Sequence, residues 1–285
     1  MHAPLLFVNG AFCMQREGSH NHPIPAQTNA RRGRGLSWQH ALVPLVLVVL
    51  ILLWDLLVRW GDYPAFFLPS PARVAARFVQ ALRENTLWPH VLVTLREVLL
   101  GLALGLSVAL GLGYLLAKSR LAERVLSPYL VASQAVPIVA LAPLLVIWFG
   151  AGILSKVLVC ALTLFFPVLI NTIVGIRSVD RDLVALMRSL RATRWQTFRY
   201  LEVPAALPVL FGGLKVGVTL SVIGAVVGEF VGSDRGLGFL VNLARGLFDT
   251  PLLFVALITL MVIALALYLL VAGLEAWLLR WRWPD

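Results

Sequence analysis

The sequence predicts an all-α polytopic membrane protein with six transmembrane helices. Of its 285 residues 60% are apolar and 13% charged, and the mean hydropathy is +0.88, well outside the usage of soluble globular chains. Six apolar runs, residues 41–60, 91–117, 128–150, 154–176, 207–231 and 252–274, have the length of roughly 20 residues that a helix needs to cross ~30 Å of hydrocarbon. The alternation of polar and apolar residues that marks a membrane β-barrel is missing, so helices must satisfy the backbone.

Residues 1–40 mix Pro, Asn, Gln, His and Arg without periodicity and are expected to form a disordered cytoplasmic tail. The run 41–60 continues into Trp54, Asp55 and Arg59 with no small-residue cleavage site, so it reads as a retained first span rather than a secretory signal. Asp55 and Arg59 stand four apart and can pair on one helix face. Residues 61–90 form an extracytoplasmic segment in which Ser70 can cap a short helix and Pro71 suits its first turn. Val74, Phe78 and Leu82 give that helix an apolar stripe among Arg73, Arg77 and Arg83, the pattern of a segment lying on a surface.

A core of five spans, residues 91–274, follows, and residues 275–285 are a second cytoplasmic tail. The 24 basic residues outnumber the 14 acidic ones, but their positions speak for topology rather than for nucleic acid. Arg31, Arg32, Arg34, Lys118, Arg120, Arg124 and the arginines of 177–208 gather where six spans with a cytoplasmic N-terminus leave loops inside. Fewer basic residues fall outside, which places both termini of this multi-pass cell-membrane protein in the cytoplasm. Cys13 and Cys160 offer no disulfide framework and no metal-ligand spacing.

Gly101, Gly105, Ala109 and Gly113 in the second span, and Gly213, Gly217, Ser221, Gly224 and Gly228 in the fifth, form stripes of small residues. Such stripes let helix backbones approach closely, and a face that slides during transport is the functional alternative. Gln134, Pro137 and Pro143 mark a third span that must be bent, and Pro167 with Asn171 repeats the theme in the fourth. Each proline removes a backbone donor, and the freed carbonyls suit a cavity better than lipid, which makes these residues candidates for a translocation pathway. Glu229 joins them as a pathway candidate. Interfacial anchoring is the plainer account of Arg96, Glu97, Glu229 and Lys215.

Residues 177–208 are too polar to cross and too patterned for a linker. Asp180 or Asp182 can cap a helix, and Leu183, Leu186, Met187 and Leu190 fall at i, i+3, i+4 and i+7, backed by Arg181, Arg188 and Arg191. Trp195 and Phe198 extend the apolar material. Val203 and Pro204 are expected to turn the chain back into the membrane.

This loop resembles that of the binding-protein-dependent ABC importer permeases of the type I fold. Their pattern E-A-A, three residues, G, nine residues, I-x-L-P lies on Ala185-Leu186-Met187, on Arg191 in place of the glycine, and on Leu201-Glu202-Val203-Pro204. Ser189 to Phe198, with Ala192 and Thr193, resembles the helix that in the family inserts into a groove of the ATPase subunit. Leu68-Pro69-Ser70-Pro71, Ala142-Pro143-Leu144 through Trp148-Phe149-Gly150, Phe166-Pro167 with Asn171-Thr172, and Gly228-Glu229-Phe230 followed by Gly236-Leu237-Gly238 resemble one subgroup. Its members serve nitrate, taurine, alkanesulfonates, thiamine pyrimidine precursors and riboflavin.

What the resemblance implies is a permease dimer, read as a homodimer with a paralogue as the alternative partner. It also implies two cytoplasmic ATP-binding subunits and an extracytoplasmic solute-binding protein. The chain carries no phosphate-cradling G-x-x-x-x-G-K-[ST], so ATP is expected to bind the partner and no cofactor this chain. An ion-coupled secondary transporter would show internal repeats and midplane acids, and a membrane-embedded enzyme a nucleophile and base facing one cavity. Neither pattern is present, and no catalytic or metal-binding residue is predicted.

Overall fold

The computed structural model describes residues 36–61, 63–64 and 66–280. The predicted disordered tail lies almost wholly outside them, as does Cys13. The chain divides into two units, Met1–Val49 and Leu50–Asp285. Of the first, residues 36–49 are described, and they are helical.

Among the described residues the fold is entirely helical: α1 (Leu36–Trp60), α2 (Pro71–Arg83), α3 (Leu87–Lys118), α4 (Arg120–Gln134), α5 (Ile138–Phe149), α6 (Ile153–Arg177), α7 (Arg181–Ser189), α8 (Arg194–Thr197), a π-helical turn (Phe198–Glu202), α9 (Val203–Gly232), α10 (Leu237–Gly246) and α11 (Thr250–Leu278). Among the described residues four stretches are long and apolar enough to cross a membrane: Leu87–Lys118, Ile153–Arg177, the run Arg194–Gly232, and Thr250–Leu278. The sequence predicts six spans. The structure supports these four, or five if α4 and α5 count as one, and the remaining predicted run, 41–60, lies within α1.

The predicted third span is a broken one. Its two helices meet at 95°. Pro137 cannot donate to the preceding turn and drives Val136 away from helical backbone, so α4 closes at Gln134 and α5 opens with Pro137 as its N-cap at φ −67° and ψ 126°. Pro143, by contrast, is carried inside α5.

The bundle is organised around α6, which packs against both α3 and α9. Both neighbours present their small residues to it. A methyl group at Gly105 would stand 2.7 Å from Leu164 Cδ1 and 2.9 Å from the carbonyl oxygen of Ala161, and one at Gly224 would stand 2.9 Å from the Cα of Cys160. The predicted stripes are therefore packing faces, both closing on one central helix. Ser221 on α9 also donates to the carbonyl of Val98 on α3 at 3.3 Å, so α3 and α9 touch directly.

The periphery is pinned by polar contacts. Ser70 caps α2 by accepting from the N–H of Arg73. Of the predicted stripe Val74 is buried, together with Ala81, while Phe78 and Leu82 stay exposed. Arg77, between the two buried residues, turns inward to bind Asp249 at 2.9 Å. Asp249 in turn caps α11 through the N–H of Leu252. Asp55 and Arg59 pair at 2.7 Å as predicted, and Lys215, expected at the interface, is paired with Glu275 of α11.

Gly105→Ala is expected to push α3 away from α6 and to cost about 1–3 kcal/mol, read as a lower thermal midpoint in detergent. Gly111→Ala, where nothing lies within 4 Å of the added methyl, is expected to raise stability by up to about 1 kcal/mol through helix propensity.

Candidate functional site

The segment between α6 and α9 folds as helix, elbow and helix. Asp180 caps α7 by accepting from the N–H of Asp182 at 2.9 Å, where the helix dipole also favours its negative charge. The helix closes with a Schellman motif: the Arg191 N–H donates to the carbonyl of Arg188 at 2.9 Å and the Ala192 N–H to that of Met187 at 3.0 Å. This closure needs one left-handed residue, and Arg191 supplies it at φ 52°. Thr193 then opens α8 with a capping box, its hydroxyl accepting from Gln196 N–H at 3.2 Å while its own N–H donates to Gln196 Oε1 at 2.7 Å. The single helix predicted over Ser189 to Phe198 is thus an elbow at 190–193, because one end signal and one start signal fall back to back.

Beyond the elbow, α8, the π-turn and α9 form one unbroken run. The Val203 N–H reaches back five residues to the carbonyl of Phe198. This wider turn shifts the hydrogen-bond register just before Pro204, which has no N–H to give, so the proline enters α9 without the predicted reversal of direction.

Among the described residues nothing covers the apolar stripe of α7. Leu183, Leu186 and Leu190 are exposed at 47%, 53% and 68%, and Met187 is half-buried. Trp195, 64% exposed, stacks on Phe198, whose ring meets Tyr114 of α3 edge-on at 5.2 Å. An apolar cavity of about 650 Å³ lies beside these rings, with Thr172, Ile176 and Leu210 in its wall. Ala192 and Pro204 are half-buried, and Arg188, Arg191 and Thr193 face outward.

The loop is fastened to the bundle by charge. Glu202 of the π-turn is buried and takes an ion pair from Lys118, at the end of α3, and a 3.4 Å hydrogen bond from the Tyr114 hydroxyl. Arg177, at the end of α6, clamps Glu123 of α4 through two hydrogen bonds of 2.7 and 2.6 Å. None of these partners was predicted. Lys118 and Glu202 are 84 positions apart, so no local spacing announces the pair; a basic residue closing one span and a lone acid opening another was the only available signal.

At the opposite end of the bundle, Glu229 is buried rather than anchored at an interface. Its carboxylate accepts from the Thr94 hydroxyl at 2.6 Å and from the N–H of Gly238. Thr94 accepts in turn from the Leu237 N–H at 2.8 Å, and His90 Nδ1 from the Gly236 N–H at 3.0 Å. The start of α10 is therefore capped by side chains of α3 and α9, the helix dipole favouring the negative charge. Gly236 adopts φ 114°, and any side chain there would collide with the Glu229 carboxylate. Glu97 is buried as well, 4.0 Å from Lys156 Nζ, and its Oε2 has no hydrogen-bond partner among the described residues. The anchoring expected for Glu97 and Glu229 fails because α3, α6 and α9 approach so closely that these side chains are sealed inside protein. Arg96 remains exposed.

The pathway candidates do not converge on one cavity. Gln134 and Pro137 are exposed at the break between α4 and α5, Pro143 is exposed on α5, and Glu229 is buried. Only Asn171 and Pro167 are joined, the Asn171 amide donating to the Pro167 carbonyl at 2.8 Å, with Gly213 of α9 against the Asn171 side chain.

Residues 101–282 match the family described as the binding-protein-dependent transport system inner membrane component. The chain is 55% identical to the riboflavin transport system permease protein RibX of Chloroflexus aurantiacus, over 91% of this chain and 98% of that one. It is 37% identical to the formylaminopyrimidine transport permease protein ThiX of Halalkalibacterium halodurans, over 86% of this chain and 98% of that one. The fold is similar to that of the inward-facing MetNI methionine ABC transporter, with a TM-score of 0.58 at 18% identity over 66% of this chain and 94% of that one.

Arg191 holds a backbone conformation that costs a residue with a side chain about 1 kcal/mol relative to glycine. Arg191→Gly is expected to slow hydrogen exchange at the Ala192 amide about fivefold, and Arg191→Val, with its branched β-carbon, to speed it.

Proposed function

The chain belongs to the binding-protein-dependent inner membrane components, the permeases of ABC importers, and we propose that it is the membrane-spanning subunit of an ATP-driven importer of a riboflavin-class vitamin. The observation that carries the cargo is the much higher identity, over nearly the whole chain, to the riboflavin relative than to the formylaminopyrimidine relative. Delivery falls to an extracytoplasmic binding protein, and the permease pairs as a homodimer served by two cytoplasmic ATP-binding subunits.

A chain without a nucleotide site uses ATP only by changing shape with a partner that has one. The coupling surface in this reading is the 177–208 loop. Leu183, Leu186, Leu190 and Trp195 hold apolar area in the open, and Arg188, Arg191, Ala192 and Thr193 complete the elbow between them. An aromatic anchor beside aliphatic side chains and arginines is the composition of an interface centre. Glu202 and Lys118 pass displacement of the loop to α3, and Phe198 with Pro204 to α9. For the pathway, Asn171 and Pro167 on α6 are the lining residues in this reading, with Gln134, Pro137 and Pro143 along the α4–α5 break and Glu229 holding the opposite end.

Leu190→Asp and Trp195→Asp place a charge in the proposed contact. Each is expected to weaken co-purification of the ATP-binding subunit on the order of 30-fold, equivalent to the loss of one hot-spot residue, and to abolish uptake with membrane insertion unchanged. Full uptake in both variants would remove the loop from coupling. The cargo is tested in a host that cannot synthesise riboflavin: deleting the gene for this chain is expected to lower labelled riboflavin uptake to background, and re-expression to restore it. Unchanged riboflavin uptake, with loss of formylaminopyrimidine or sulfonate uptake, would reassign the cargo.

A further inference from the structure

Where α3 and α6 end, a cavity of about 690 Å³ opens between their last turns, the first half of α4 and the start of α7. Its wall carries five basic side chains against two acidic ones. Both acids are already matched, Glu123 by Arg177 and Glu202 by Lys118. Arg120, Arg124 and Arg181 remain, facing the same space with no ion-pair partner among the described residues, and all three are exposed. The excess of basic over acidic groups around one cavity creates a positive potential that an anion relieves, and a planar guanidinium matches phosphate oxygens two at a time.

The depth of the cavity limits what that anion is. Lys118 and Arg177 are the final residues of two membrane-crossing helices, so the cavity sits where apolar span gives way to polar loop, the level of lipid headgroups. The helix that supplies Arg120 and Arg124 also exposes Leu121, Val125 and Tyr129 at 74%, 52% and 71%, a stripe at four-residue spacing suited to acyl chains beside a headgroup. The geometry points to a phosphate-binding site whose ligand is the phosphodiester headgroup of an anionic phospholipid, seated on Arg120, Arg124 and Arg181. This goes beyond the transport reading and requires only that the chain cross a membrane.

The test uses the full-length protein in nanodiscs of phosphatidylethanolamine with and without phosphatidylglycerol, lipid retention being read by native mass spectrometry and orthophosphate binding by calorimetry on delipidated protein. Phosphatidylglycerol is expected to be retained over phosphatidylethanolamine. Arg124→Gln should lower retention about fivefold, and R120Q/R124Q/R181Q on the order of 100-fold, the loss shrinking as salt rises. Arg245→Gln, an exposed charge on α10, should change nothing. Orthophosphate binding lost in the triple variant, without selective lipid retention, would keep the phosphate site and make its ligand soluble. Equal retention of both lipids with no phosphate binding, or unchanged retention in a triple variant that melts like the wild type, would overturn the site. If the triple variant does not fold, the single Arg124→Gln variant decides by the same measurement.

Discussion

The rest of the structure depends on how closely α3 and α9 come to α6. In a bilayer, burying apolar side chains between helices gains little over leaving them in lipid, so association rests on the fit of backbone against backbone. Small residues at three- and four-residue spacing on two helices provide that fit against adjoining faces of a third, at Gly101, Gly105 and Gly113 from α3 and at Gly213, Gly217, Gly224 and Gly228 from α9. One consequence is chemical. Helices this close leave no lipid between them, so Glu97, Lys156 and Glu229 find themselves among protein groups, where each is tolerable only with partners at hand.

Both ends of the three-helix core carry a carboxylate that joins α3 to the α9 strip, and the two joints differ in kind. At the loop end Glu202 meets Lys118 and Tyr114, which is charge against charge at a partly exposed position. At the other end Glu229 meets a hydroxyl and backbone N–H groups, the start of α10 serving as the cation. In the first joint the carboxylate is buried and only the lysine is partly exposed. The second is dry and geometric, fixed by two glycines that let a helix terminus reach a side chain.

The architecture was legible wherever it depended on local repetition. Apolar run length marks the four long spans and the broken one, four-residue spacing marks the packing faces, and the predicted cap residues Ser70 and Asp180 stand at helix starts. What was not legible depended on distant partners or on two local signals competing. The inward turn of Arg77 on α2 has no local signal, because its partner Asp249 lies 172 positions away. The elbow at 190–193 was missed because an arginine does not advertise a left-handed backbone as glycine would, and the π-turn because nothing in Phe198 to Glu202 departs from ordinary helix composition. Glu97 and Glu229 differ from the interfacial placement for another reason: burial in a membrane protein follows which helices adjoin, and single-span hydropathy carries no such information.

The wide turn before Pro204 has a mechanical meaning. Without it, the loop and the membrane helix would be separate bodies joined by a hinge. With it, residues 194–232 are a single strut, roughly 55–60 Å long at helical rise, with Trp195 at one tip and Glu229 near the other. A strut does not absorb movement at one tip; it tilts or slides as a piece, pivoting where Gly213 to Gly228 bear on α6. A displacement of the exposed indole would therefore be carried along one helical run toward the α10 cap, with Pro208 the one proline inside α9.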